Sequence, residues 1–172
     1  ITYLETEVNF QFNPKFTSSS VQEIQSRVDD VVTNYFANNT GLFDQSFRRS
    51  NMLALVDDVD ASVLSSRAEL KLQKRFVPFI GTTESVTLRY ASPIAEPNDE
   101  KPVIQSTPFF LDGNRVEIRN KLDSYKLQLY ATATDTVYVD NIGEYAPSTG
   151  IVTLTGIKVD SIIGGNNFIK IT

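Results

Sequence analysis

The densest acidic run in the chain is Asp57-Asp58-Val59-Asp60. Carboxylates this close together could hold a divalent cation, because hard cations take several oxygen ligands. The spacing departs from the D-x-[DN]-x-[DN]-G order of a calcium loop, and the competing reading is a solvated helix end. Asp112-Gly113-Asn114 could line a ligand loop, yet a hairpin turn accounts for it in full. Gly164-Gly165 makes no phosphate cradle, since neither a Walker lysine nor an opening helix follows it. Asn38-Asn39-Thr40 fits a glycosylation sequon, which has meaning only in a secretory pathway. Serines are plentiful, but there is no histidine to activate one. A serine–lysine pair would be the remaining route, and nothing in the sequence places it.

Composition narrows the chemistry further. With no histidine, the chain lacks the commonest general base, metal ligand and pH switch. With no cysteine, it has neither disulfides nor thiolate metal sites. No cofactor is expected. The net charge of −5 favours solubility and opposes non-specific binding of nucleic acid. Arg48-Arg49 and Lys71 to Arg75 are too short to form a basic patch. No apolar run reaches the roughly 18–20 residues of a membrane span, so no membrane insertion is expected. The 11 Phe and 7 Tyr fall at strand spacing and read as core, not as a stacking platform. The sequence starts at Ile1, inside a strand pattern and without Met, which reads as a fragment or processed product.

The elements that must position these residues begin with an alternating strand. Leu4, Thr6, Val8, Phe10 and Phe12 share one face, and Glu5, Glu7, Asn9 and Gln11 the other. Asn13-Pro14 ends it. Ser20-Val21-Gln22-Glu23 is a capping box, followed at helical spacing by Val21, Ile24, Val28, Val31, Val32, Tyr35 and Phe36. That helix is expected to stop between Asn38 and Gly41. A second helix is expected from Asp44 or Ser46 to Asp58, burying Met52, Leu53, Val56 and Val59. Period two then returns: Leu64, Ser66, Ala68, Leu70 and Leu72 face inward, and Ser65, Arg67, Glu69, Lys71 and Gln73 outward. Two helices between two strands reverse the chain twice, so the strands should be antiparallel.

The expected fold class is therefore α+β. A β-α-α-β unit, with two helices covering an antiparallel sheet, precedes a β-rich C-terminal half. A third strand runs over Val86 to Tyr90, after a loop near Pro78 to Thr83. The polar, proline-flanked stretch 95–102 is read as an exposed, mobile loop and as the boundary between subdomains 1–94 and 95–172. Beyond it, Phe109 to Ile118 reads as a hairpin turning at Asp112-Gly113, and Tyr125 to Ala131 as a strand. Ile142 to Val152 reads as a loop entering another strand, and Gly164 to Asn167 as a last turn before Phe168 to Ile171.

One feature of the second helix runs against its own electrostatics. Arg48 and Arg49 sit at its positive end and Asp57 and Asp58 at its negative end. That arrangement costs about 0.3–1 kcal/mol per exposed charge. Solvation with neighbouring loops is one explanation; the other is that these four residues meet a partner subunit.

Three stretches of the chain resemble the C-terminal part of the baseplate wedge proteins of contractile-tailed bacteriophages, the T4-like wedge and the related baseplate J-like group. They are Val8 to Phe36, with Ser20-Val21-Gln22-Glu23-Ile24 opening a helix that ends in Tyr35-Phe36-Ala37-Asn38; Phe43 to Leu72, with Val63-Leu64-Ser65-Ser66; and Ile142-Gly143-Glu144-Tyr145 followed by Thr149-Gly150-Ile151-Val152. The resemblance implies a virion structural protein of the tail baseplate, assembled in the host cytoplasm and without catalytic residues. It implies copies that associate with themselves, as a homodimer or a higher ring assembly, and with other baseplate proteins. Two other classes stand beside it: a cell-surface binding or adhesin module, which would need an aromatic-lined cleft, and a carboxylate hydrolase, which would need two facing carboxylates roughly 5 to 9.5 Å apart.

Overall fold

The computed structural model describes residues 1–40 and 47–172. Two compact units divide the chain: one is Thr6–Leu70, and the other combines Ile1–Glu5 with Lys71–Thr172. Among the described residues the class is α+β, with two α-helices, a three-stranded sheet and a curled seven-stranded sheet.

The Thr6–Leu70 unit holds α1 (Val21–Asn39), α2 (Arg49–Asp57), most of β1 (Tyr3–Phe12) and the first part of β2 (Val63–Phe76); the remaining ends of both strands belong to the other unit. Ser20 and Glu23 form the expected capping box, so two otherwise orphaned backbone donors at the start of α1 are satisfied. Thr40 closes the helix by giving its backbone N–H and its hydroxyl to the Phe36 carbonyl. Gly41, Phe43 and the expected start of the second helix at Asp44 or Ser46 lie outside the described residues. Among the described ones, α2 opens at Arg49.

From Glu5 onward β1 alternates as its sequence requires: Thr6, Val8, Phe10 and Phe12 are half-buried, and Glu7, Asn9 and Gln11 exposed, whereas Leu4, expected on the apolar face, is exposed. Ile24, Val28, Val56 and Val63 bury one apolar cluster with Val8, Phe10 and Phe12. Tyr35, Met52 and Ala68 bury a second with Val8, Phe36, Phe47 and Leu53. The helices thus cover the inner face of the sheet. β1 and β2 are neighbours in the order β1-β2-β10, where β10 is Ile169–Ile171. The Asn13 N–H reaches the Ser62 carbonyl at 2.9 Å, while Glu5 meets Gln73 at 2.7 Å, so β1 and β2 run antiparallel.

β2 departs from strict alternation at both ends. Val63 is 7% exposed and Leu64 is 55% exposed, the reverse of the expected phase. Leu64 and Ser65 both face outward, and the phase changes there. Gln73, expected on the polar face, is buried. Its amide donates to the Glu5 carboxylate and its carbonyl accepts from the Arg75 guanidinium, which offsets the desolvation.

The second unit contains β3 (Thr83–Arg89), β4 (Phe109–Leu111), β5 (Asn114–Asn120), β6 (Lys126–Ala131), β7 (Thr136–Ala146), β8 (Ile151–Lys158) and β9 (Ser161–Ile162). They form an antiparallel sheet in the order β3-β8-β7-β6-β5-β4-β9. Asp112 and Gly113 turn the β4–β5 hairpin with positive φ at both positions, as a two-residue loop between twisted strands requires. Residues Ile142 to Ala146 are strand, not loop: they pair with β6 on one side and β8 on the other. Register shifts at Leu127/Leu129 and Leu129/Tyr130 break the period that would have shown it. A short 3-10 turn over Pro147–Thr149 then leads through Gly150 to β8.

Phe109, Val116, Ile118, Leu127, Val152, Leu154, Ile169 and Ile171 anchor the core of this unit. β10 is tied in by pairing with the end of β2 and by two-way backbone bonds between Thr172 and Gln105. The Tyr90 hydroxyl donates to the Ile171 carbonyl at 2.7 Å, and burial pushes its pKa above the usual phenol value. Residues 95–102 are largely exposed. They are held by Tyr125, which donates to the Glu96 carboxylate, and by the Asn98 carbonyl, which accepts the Asp123 N–H. No helix among the described residues is long and apolar enough to cross a membrane.

Candidate functional site

α2 carries the residues singled out in the sequence. The helix forms because Met52 and Val56 are fully buried beneath it. Each such side chain contributes about 1.5–3 kcal/mol. That outweighs the adverse charges at its ends, and those charges are real in the fold. The first turn holds no acidic residue and the last turn no basic one; Arg48 occupies the N-cap without a side-chain cap bond and Asp58 the C-cap. Arg48, Arg49, Asp57 and Asp58 are all exposed. Among the described residues, none of the four enters an ion pair.

Tyr35 anchors the N-cap residue by its backbone instead. Its hydroxyl donates to the Arg48 carbonyl at 2.9 Å and accepts the Arg48 N–H at 3.3 Å. Its ring meets Phe47 edge-on, and Phe47 stacks on Phe36 with centroids 5.2 Å apart. Residue identity alone gave no sign of this role, since Tyr35 sits on the apolar stripe of α1 and reads as core. Tyr35→Phe keeps the ring and loses both hydrogen bonds. We expect it to lower unfolding stability in urea by about 1–2 kcal/mol, with an unchanged denaturant slope.

The acidic run divides between two tasks. Asp57 and Asp58 face solvent. Asp60 instead closes the turn into β2. Its carboxylate accepts the Ser62 N–H at 2.9 Å and the Thr17 hydroxyl at 3.4 Å, and lies 3.6 Å from Arg27. These contacts, the Ser62 backbone bond first, hold its pKa below the ordinary aspartate value. A depressed carboxylate stabilises the fold above its unfolded pKa, and that contribution is lost as pH falls through the folded value. Asp60→Asn should therefore be less stable than the parent at neutral pH, and the difference should shrink steadily as melts are repeated below about pH 4.

Elsewhere the unit offers little for catalysis. A groove of ≈ 330 Å³ is lined by Asn9, Phe10, Gln11, Ser65, Ser66 and Arg67. It contains no carboxylate, and the Ser66 hydroxyl is turned to the Leu53 carbonyl. Among the described residues, no group of three or more His, Cys, Asp or Glu side chains is placed to hold a metal ion. Leu55, which lies off the predicted apolar stripe, is 48% exposed on α2 beside the charged residues.

The fold and these surfaces define an α+β structural module whose exposed faces are its prominent features. Residues 1–75 match the family described as baseplate structural protein gp6, C-terminal domain III. Baseplate wedge protein gp6 of Enterobacteria phage T4 is 26% identical over 83 residues, covering 48% of this chain and 13% of that protein. The first 75 residues are thus similar to the C-terminal part of a phage baseplate wedge protein, and the chain spans only a small part of that relative's length. Val8 to Phe36 and Phe43 to Leu72 lie inside the matched residues; Ile142 to Val152 lies beyond them.

Proposed function

We propose that the chain is a non-enzymatic structural component of a contractile phage tail baseplate, which self-associates and helps join wedge subunits into a ring. The observation that carries this reading is the match of residues 1–75 to a baseplate domain. Two features of that segment support it. β1 is the edge of its sheet, and an open edge offers backbone donors and acceptors to a further strand. Arg48, Arg49, Asp57 and Asp58 stand exposed with both signs of charge at opposite ends of one helix, and they are the contact residues of this proposal. Other baseplate proteins are the further partners.

The test uses the chain as a competitor. Added in excess to assembling baseplate wedge subunits, it should reduce ring formation in a dose-dependent way, scored by negative-stain electron microscopy. A full yield of rings at saturating chain would overturn the proposal.

A further inference from the structure

We infer that α2 docks against α2 of a second copy of this chain, antiparallel about a two-fold axis. This rests on the self-association reading above and adds its geometry. Arg48, Asn51, Leu55 and Asp58 recur at spacings of three and four residues, so they share one stripe of the helix. All four are exposed, while Met52 and Val56 are turned into the core. The stripe is positive at its start, apolar near its middle and negative at its end. Ten residues at 1.5 Å rise separate Arg48 from Asp58 by roughly 15 Å. Two such stripes laid antiparallel bring Arg48 of each copy opposite Asp58 of the other. Arg49 and Asp57 flank these pairs, and the two Leu55 side chains lie on either side of the axis.

Charge complementarity selects the second copy over other occupants. The pattern is its own complement on reversal, which is the defining property of an isologous contact. It also accounts for charges that oppose the helix macrodipole. In the pair, each Arg-bearing N-terminus faces the partner's Asp-bearing C-terminus, and the two dipoles themselves run antiparallel. A parallel arrangement would set like charges together. One nine-residue helix is small beside the roughly 800 Å² per partner of a standard interface. The contact therefore sets orientation and register within a larger assembly, and it weakens at high salt because exposed charges are screened.

The test exploits the reversal. Arg48→Glu with Arg49→Glu gives a helix negative at both ends; Asp57→Lys with Asp58→Lys gives one positive at both ends. Each variant should self-associate on the order of 10–100-fold more weakly than the parent. An equimolar mixture should regain association within about 3-fold of the parent, as a heterodimer whose mass native mass spectrometry resolves. Folding is not at risk, because each reversal places charge favourably for the helix dipole, and melts should match or exceed the parent. Leu55→Gln supplies an independent, fold-neutral probe and should also weaken association. Parent-like association by both double variants, or a mixture that fails to form the heterodimer, overturns the α2 contact and leaves self-association standing. A parent that stays monomeric at every concentration removes the underlying reading itself.

Discussion

Replacing Gly143 with alanine should lower the melting temperature by on the order of 10 °C. Gly143 sits inside β7, paired to Leu127 on one side and Leu154 on the other. Its φ is +139°, and a Cβ built there would lie 1.9 Å from the Thr153 carbonyl oxygen and 3.1 Å from the Leu154 Cα. Both neighbours are backbone, so no side chain can swing away. Val152 and Leu154, on the strand that would have to move, are fully buried. Overpacking and enforced backbone strain each cost about 1–3 kcal/mol, giving about 2–6 kcal/mol together. For a chain of this length each kcal/mol moves the melting point by roughly 2–4 °C. Gly165→Ala is the control, because nothing lies within 4 Å of its added Cβ. Equal melts for the two variants, read by circular dichroism, would contradict the placement of β7 between β6 and β8.

The second large effect is expected at Asn120, which is 1% exposed. Its carbonyl oxygen accepts the N–H of Val103 at 2.6 Å and of Ile104 at 2.9 Å. Its amide donates to the carbonyls of Lys121 and Ser124. One side chain therefore fastens the 103–104 segment to the end of β5. Asn120→Ala leaves two amides without their acceptor, at about 1–3 kcal/mol for each buried group left unpaired. We expect a loss of about 2–4 kcal/mol in urea unfolding. Amide exchange at Val103 and Ile104 should accelerate well beyond that of the β5–β6 ladder. Unchanged protection at those two amides would show that the clamp is not what holds the segment.

What could be read in the sequence was what a local rule enforces. Ser20 and Glu23 announced the start of α1, because a capping box satisfies donors that no other local arrangement reaches. Asp112-Gly113 announced a hairpin, because both positions need positive φ. The half-buried β1 showed its faces by simple alternation. Non-local features stayed hidden. Asn120, Gln73 and Gln128 are buried polar residues whose partners lie elsewhere in the chain, so residue type argued for the surface. Ile142 to Ala146 read as loop because sheet register shifts and a glycine interrupt its period. β3 pairs with β8 across about 70 residues of sequence, a partner that period two cannot name. At the candidate interface the four charges were legible, since they break the dipole rule. The exposure of Leu55 agrees with its place off the predicted stripe of Met52, Leu53, Val56 and Val59, although no role followed from that place alone.

The charges on α2 and the burial beneath it pull in opposite directions, and the balance suits an assembly part. Met52 and Val56 hold the helix down, while Arg48, Arg49, Asp57 and Asp58 sacrifice some of its stability. In the proposed self-contact the same arrangement becomes favourable, because each charged end meets its opposite. The most direct test is light scattering of the purified chain over a concentration series at physiological and at high salt. The account predicts a weight-average mass that rises with concentration toward at least twice the monomer and falls back when salt is raised. A mass that stays at the monomer value across the whole series would contradict it.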